Sequence, residues 1–135
     1  MNPGDELFSA SYTIRRADLK AYADASGDQN PIHQDDAAAR AVGLPGVIAH
    51  GMYTMGLASR AITDWLGDAD RLAEFSVRFA KPVVVPPGEA GATVSVSGAV
   101  RKVHDDGRVE IALTVLCGDD KVLAPARAVV TSVTE

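Results

Sequence analysis

Gly51-Met52-Tyr53-Thr54-Met55-Gly56-Leu57-Ala58-Ser59-Arg60-Ala61-Ile62-Thr63-Asp64-Trp65-Leu66 is the longest helical stretch that the sequence offers. Apolar residues fall on almost every side of such a helix, from Met52 and Met55 through Leu57, Ala58, Ala61 and Ile62 to Trp65. A helix that is apolar nearly all round belongs in an interior. Gly56 and Ala58 leave room for another backbone to approach, and Gly67 stops the run. The rest of the chain has to supply the wrapping.

From residue 71 the apolar period changes to two, the strand period. Residues 72–79 read as one strand, continued by 81–85 toward Pro86-Pro87-Gly88. Residues 93–103 and 109–116 flank Asp105-Asp106-Gly107, a strong hairpin signal. Gly118-Asp119-Asp120 turns the chain again, and 122–133 is the last strand. Upstream, residues 8–14 alternate as a half-buried strand. Residues 15–25 then form a helix with Leu19, Tyr22, Ala23 and Ala25 inward, stopped by Gly27. Asp35 caps a short helix over 36–42 that Gly43 ends. The economical solution is α+β: one central helix wrapped by a curved antiparallel sheet. Such a sheet leaves an exposed edge, so an oligomer is expected.

A chain of 135 residues, 47% hydrophobic, is expected to be one domain spanning 1–135 with a real core. The net charge of −5 argues against a general nucleic-acid binder. No apolar run approaches the length of a membrane span, and Met1-Asn2-Pro3-Gly4-Asp5-Glu6 is unlike a signal peptide. The single cysteine, Cys117, excludes an intrachain disulfide framework and reads as a buried, inert thiol in a strand. Cytoplasmic residence, with no membrane partner, is the expectation.

Chemistry concentrates in Ser26-Gly27-Asp28-Gln29-Asn30-Pro31-Ile32-His33. Pro31 has no N–H and pushes Asn30 out of the helical region, while Gly27 and Asn30 suit a turn. Asp28 and His33 are therefore held on a stiff loop. The plain reading makes Asp28 an Asx-turn residue and His33 a hydrogen-bonded loop histidine. The functional reading makes them an acid–base pair, a task that suits a histidine near its natural pKa. Soon after, Ala49-His50-Gly51-Met52 opens the long helix.

The stretch from Tyr22 to His33, with Gly-Asp-x-Asn-Pro-Ile-His inside it, and Ile48-Ala49-His50-Gly51-Met52 after it, resembles the signature of the MaoC-like (R)-specific enoyl-CoA hydratases, the hydratase 2 family. The likeness runs over nearly the whole chain. Later segments, Asp64-Trp65-Leu66-Gly67-Asp68 and Val77-Arg78-Phe79, are similar to beta subunits of mycobacterial (3R)-hydroxyacyl-ACP dehydratases. The resemblance implies a hot-dog fold, an acyl-CoA or acyl-ACP thioester substrate in fatty acid metabolism, and reversible addition of water to a 2-enoyl thioester. It implies that Asp28 and His33 grip the reacting water and that Gly51 N–H meets the thioester oxygen. It also aligns Ser59 with a serine important in family members, although a small packing residue is an equal reading. Asn30 shapes the loop, and His50 is a loop-shaping or capping residue or takes a direct part. Pairing as a homodimer, or as a heterodimer with a related hot-dog subunit, is implied as well.

Two rivals share the fold: an acyl-thioesterase, and a non-catalytic subunit that only holds an acyl chain. The second would have no need of both Asp28 and His33. No cofactor is expected. His33, Asp35, Asp36 and His50 lack the spacing of zinc or calcium ligands, so no metal is expected either. His104, beside a hairpin turn, reads as exposed. Arg15, Arg16, Lys81, Arg101 and Lys102 are the candidate cations for carrier phosphates.

Overall fold

The computed structural model describes residues 1–131. In chain order it contains β1 (Glu6–Ile14), α1 (Arg16–Ser26), a 3-10 turn (Pro31–His33), α2 (Asp36–Ala41) and α3 (Gly51–Leu66). A second 3-10 turn (Ala69–Arg71) leads to β2 (Leu72–Phe79), β3 (Ala92–Val103), β4 (Val109–Cys117) and β5 (Asp120–Val130). The strands form one antiparallel sheet in the order β1-β3-β4-β5-β2. Alternation builds its inner face, because successive side chains point to opposite sides. Val94, Val96 and Val100 of β3 are buried together with Val109, Ile111, Leu113 and Val115 of β4. α3 lies against this face, the hot-dog arrangement that the alternation and the family likeness imply.

α3 starts and stops where its sequence says, but it is not enclosed all round. Only the stripe Thr54, Ala58, Ala61 and Ile62 is buried, while Met52 is 60% exposed. The sheet covers one side of a cylinder, and the small residues of the stripe let the helix sit close to it. At its far end Trp65 packs on Phe8 of β1, ring centroids 5.5 Å apart. Phe8 in turn lies over Gly98 of β3. A Cβ at position 98 would meet two Phe8 ring atoms at 2.6 Å and Ile111 Cγ2 at 3.0 Å.

Other expectations need correction. Residues 81–85 do not extend β2: apart from one bridge between Ile48 and Val84 they are irregular, since Pro82 and Pro86 cannot donate to a ladder. Ala25 is exposed rather than inward, one position off the face of Leu19 and Ala23. The last strand ends at Val130, and Val133 lies outside the described residues. Cys117 is half-buried; burial first, and Asp120 second, push its thiol pKa up.

Arg16 is also no free cation. Its guanidinium makes a two-pronged pair with Asp36 (2.8 and 2.9 Å), and its Nε donates to the Val85 carbonyl at 2.9 Å. Asp36 Oδ1 accepts from Val47 N as well, at 3.0 Å. One ion pair thus ties α1, α2, residue 47 and residue 85 together. The Arg16 hydrogen bond, then the Val47 N–H, hold the Asp36 carboxyl below the usual carboxylate range.

A carboxyl lowered in the folded state contributes stability that is full above its unfolded pKa and is lost as pH falls through the folded value. Asp36→Asn removes that contribution. The melting temperature of the unsubstituted protein is therefore expected to fall more steeply than the variant's below about pH 4, read by thermal melts across pH. Gly98→Ala should destabilise by about 1–3 kcal/mol through overpacking against Phe8. Most of that loss should vanish in a Phe8→Ala background, as a denaturant double-mutant cycle will show.

Candidate functional site

Three nested turns build the loop after α1. Gly27 ends the helix with φ 83°, a left-handed conformation that glycine adopts without strain. Ser26 Oγ accepts from Asp28 N at 3.2 Å, Asp28 Oδ1 from Asn30 N at 3.2 Å, and Asn30 Oδ1 from Ile32 N at 3.2 Å. Asn30 therefore shapes the loop with the same atom that caps the 3-10 turn. Asp28 serves the turn through Oδ1 only, which leaves Oδ2 for His33.

The 3-10 turn sends His33 inward, where it is buried. His33 Nδ1 lies 2.7 Å from the Ile48 carbonyl oxygen. A carbonyl only accepts, so Nδ1 carries the proton and Nε2 of the neutral ring keeps a lone pair. Nε2 stands 4.0 Å from Asp28 Oδ2. Two atoms that far apart can both lie about 2.8 Å from one water oxygen. The Ile48 backbone is itself held, the N–H of the same residue donating to the Ile32 carbonyl at 3.2 Å.

His50 is 2% exposed and occupies the capping position of α3, yet its ring caps no backbone N–H there. Its Nε2 donates to the backbone carbonyl of Asp28 at 3.1 Å. The ring stacks on His33 with centroids 3.8 Å apart and 23° between planes. Tyr22 packs on it at 4.7 Å, and Tyr53 meets Tyr22 edge-on at 5.3 Å. His50 Nδ1 is buried with no hydrogen-bond partner among the described residues.

Gly51 opens α3 beside these rings. The first N–H groups of a helix have no intrahelical acceptor and carry its partial positive charge, so this spot favours a developing oxyanion. Two cavities meet there. One, of about 280 Å³, is lined by His33 and by apolar side chains that include Ile48, Val83, Val122 and Leu123. The other, of about 340 Å³, is lined by Tyr22, Asp28, His50 and Met52. Ser59 lines neither; it lies half-buried on α3, eight residues past Gly51, roughly 12 Å along the axis. Asp28, His33, His50 and Gly51 thus converge, Asn30 supports them, and Ser59 stands apart.

Asp28, His33 and His50 bring ligand-type atoms within 4.8 Å of one another, with Asp28 in place of the Asp35 and Asp36 weighed from the sequence. Zinc needs donors converging on one centre at about 2.0–2.2 Å. The two imidazoles stack nearly parallel, so their in-plane lone pairs run side by side. Each ring also has one nitrogen engaged with a carbonyl. The trio fits a shared water better than a metal. Sequence reasoning did not find Phe79, whose ring lies on Gly51, or the Tyr22–His50–His33 stack. Both are contacts between distant segments, and no spacing announces them.

Comparison with known proteins gives the family and the fold. The family described as MaoC like domain matches residues 2–116. The chain is 45% identical over 78 residues to 3-hydroxyacyl-thioester dehydratase X of Mycobacterium tuberculosis, covering 58% of this chain and 27% of that protein. It thus spans about a quarter of that relative's length, and 36% of dehydratase Y from the same organism. Among solved structures, a MaoC-like dehydratase superposes with TM-score 0.93 at 34% identity, over 98% of this chain and 41% of that one. The unliganded R-hydratase PhaJ1 from Pseudomonas aeruginosa superposes with TM-score 0.82 at 28% identity, over 100% of this chain and 84% of that one.

Proposed function

The chain belongs to the MaoC-like domain family, and on that premise we propose that it is a hydro-lyase that interconverts 2-enoyl and (3R)-hydroxyacyl thioesters, with His33 and Asp28 as its acid–base pair. The observation that carries the reading is the 4.0 Å gap between His33 Nε2 and Asp28 Oδ2, with the proton of His33 committed to Ile48 on the other side of the ring.

In the hydration direction His33 Nε2 takes a proton from water, and the water oxygen bonds to C3. The electron pair of the double bond moves toward the carbonyl, and the negative charge gathers on the thioester oxygen beside Gly51 N–H. The proton that His33 took from water passes to Asp28 Oδ2, and Asp28 delivers it to C2, so that the pair returns to its starting state with one water added. Dehydration runs the same steps backward. The acyl tail occupies the apolar cavity around Val83, Val122 and Leu123. Of the candidate cations, Lys81 lines that cavity, although it already meets Asp120 at 3.2 Å. Acyl-CoA and acyl carrier protein present the same thioester to this site.

β1 and β2 are the two ends of the sheet, so pairing through an edge closes an otherwise open ladder. The assembly we favour is a homodimer, with a related hot-dog subunit as the other partner the same edge admits.

Loss of the crotonyl-CoA double bond, followed by absorbance beside free-thiol release, is the direct test. Thiol release without double-bond loss would make the protein a thioesterase instead. Asp28→Asn and His33→Ala should each lower turnover at least about a hundredfold, the scale of lost general acid–base catalysis. Both should stay folded, with His33→Ala melting lower than the parent because it empties a buried, stacked position. Light scattering should give the mass of a dimer, and a monomer fully active on dilution would show the edge-pairing argument wrong.

A further inference from the structure

We propose that Phe79 is a specificity-determining residue: its ring is the partition between the two cavities that meet at Gly51, and its bulk sets which acyl thioesters can span them. The inference rests on the hydro-lyase reading above.

Gly51 and Phe79 are the two residues that line both cavities. His33 faces the apolar one, whereas Asp28 and His50 face the other. A substrate that engages both members of the acid–base pair therefore crosses the ridge where Phe79 stands. Three atoms of its ring lie 3.0, 3.2 and 3.4 Å from the place where a Cβ on Gly51 would be, so the ring covers the start of α3 where Gly51 presents no side chain.

The backbone at the root of this ring is fixed. Phe79 closes β2 opposite Leu123, after a register shift past Val77, and the next residue, Ala80, donates to the Val122 carbonyl at 2.9 Å. Phe79 as a residue is 53% exposed. A side chain in that position changes rotamer quickly without disturbing the sheet. Its size, not strand movement, then decides how much acyl chain passes.

The test compares kcat/KM for trans-2-octenoyl-CoA and crotonyl-CoA in Phe79→Ala, Phe79→Leu and Phe79→Trp. The octenoyl-to-crotonyl ratio should rise at least about tenfold in Phe79→Ala, less in Phe79→Leu, and fall in Phe79→Trp, within the range that hydrophobic pockets discriminate. An unchanged ratio in all three folded variants would overturn the partition. Absence of double-bond loss in the unsubstituted protein would sink the hydro-lyase reading alone. The partition is then decided by 4-fluorophenylalanine at position 79. Its fluorine resonance should shift when saturating butyryl-CoA is added, and a resonance that stays in place would refute it.

Discussion

The backbone of one residue, Ile48, holds the site together through the two peptide units that meet at its Cα. The Ile48 N–H donates to the Ile32 carbonyl, and the Ile48 carbonyl takes the proton of His33 Nδ1. Each bond is worth only about 0.5–1.5 kcal/mol net. Their combined effect is larger than that number, because they settle a chemical identity. A carbonyl forces its partner to be the donor, so the tautomer of His33 is decided by backbone and the opposite nitrogen is left basic. Ile48 lies three residues before Gly51, which sets the distance from the rings to the start of α3.

Around Ile48 the supports are layered. Arg16 and Asp36 hold residues 47 and 85, and Val47 and Val83 carbonyls accept from Val85 and Ala49. His50 grips the backbone of Asp28 from below while its ring backs His33. The second imidazole, its centroid 3.8 Å from that of the first, also fixes the plane of the ring. His33 therefore has its proton placed by one neighbour and its ring held in position by another.

Much of this was legible in residue order, and the reasons differ by element. α3 could be bounded to the residue because its apolar run sits between the turn at Leu44-Pro45-Gly46 and Gly67. The strands followed from alternation, which reports burial directly. The nearness of Asp28 and His33 followed because only a short, rigid turn separates them. The Arg16–Asp36 pair was not legible: the two charges are twenty residues apart, and either reads equally well as a solvated surface group. The stack of His33 and His50, seventeen apart, depends on the 3-10 turn and the Ile48 bond acting together. The open side of α3 was missed because composition tells how apolar a helix is, not how far a sheet reaches round it. Residues 81–85 have a strand's composition, but Pro82 within them and Pro86 after them interrupt the ladder.

The packing of Phe8 over Gly98 and against Trp65 has an optical consequence. Trp65 is the only tryptophan of the chain, and it sits fourteen residues from Gly51 along a rigid helix, roughly 21 Å away. Its fluorescence therefore reports the docking of the far end of α3 onto the sheet and is remote from events at the two histidines. Loss of fold and loss of chemistry write to separate channels in this protein.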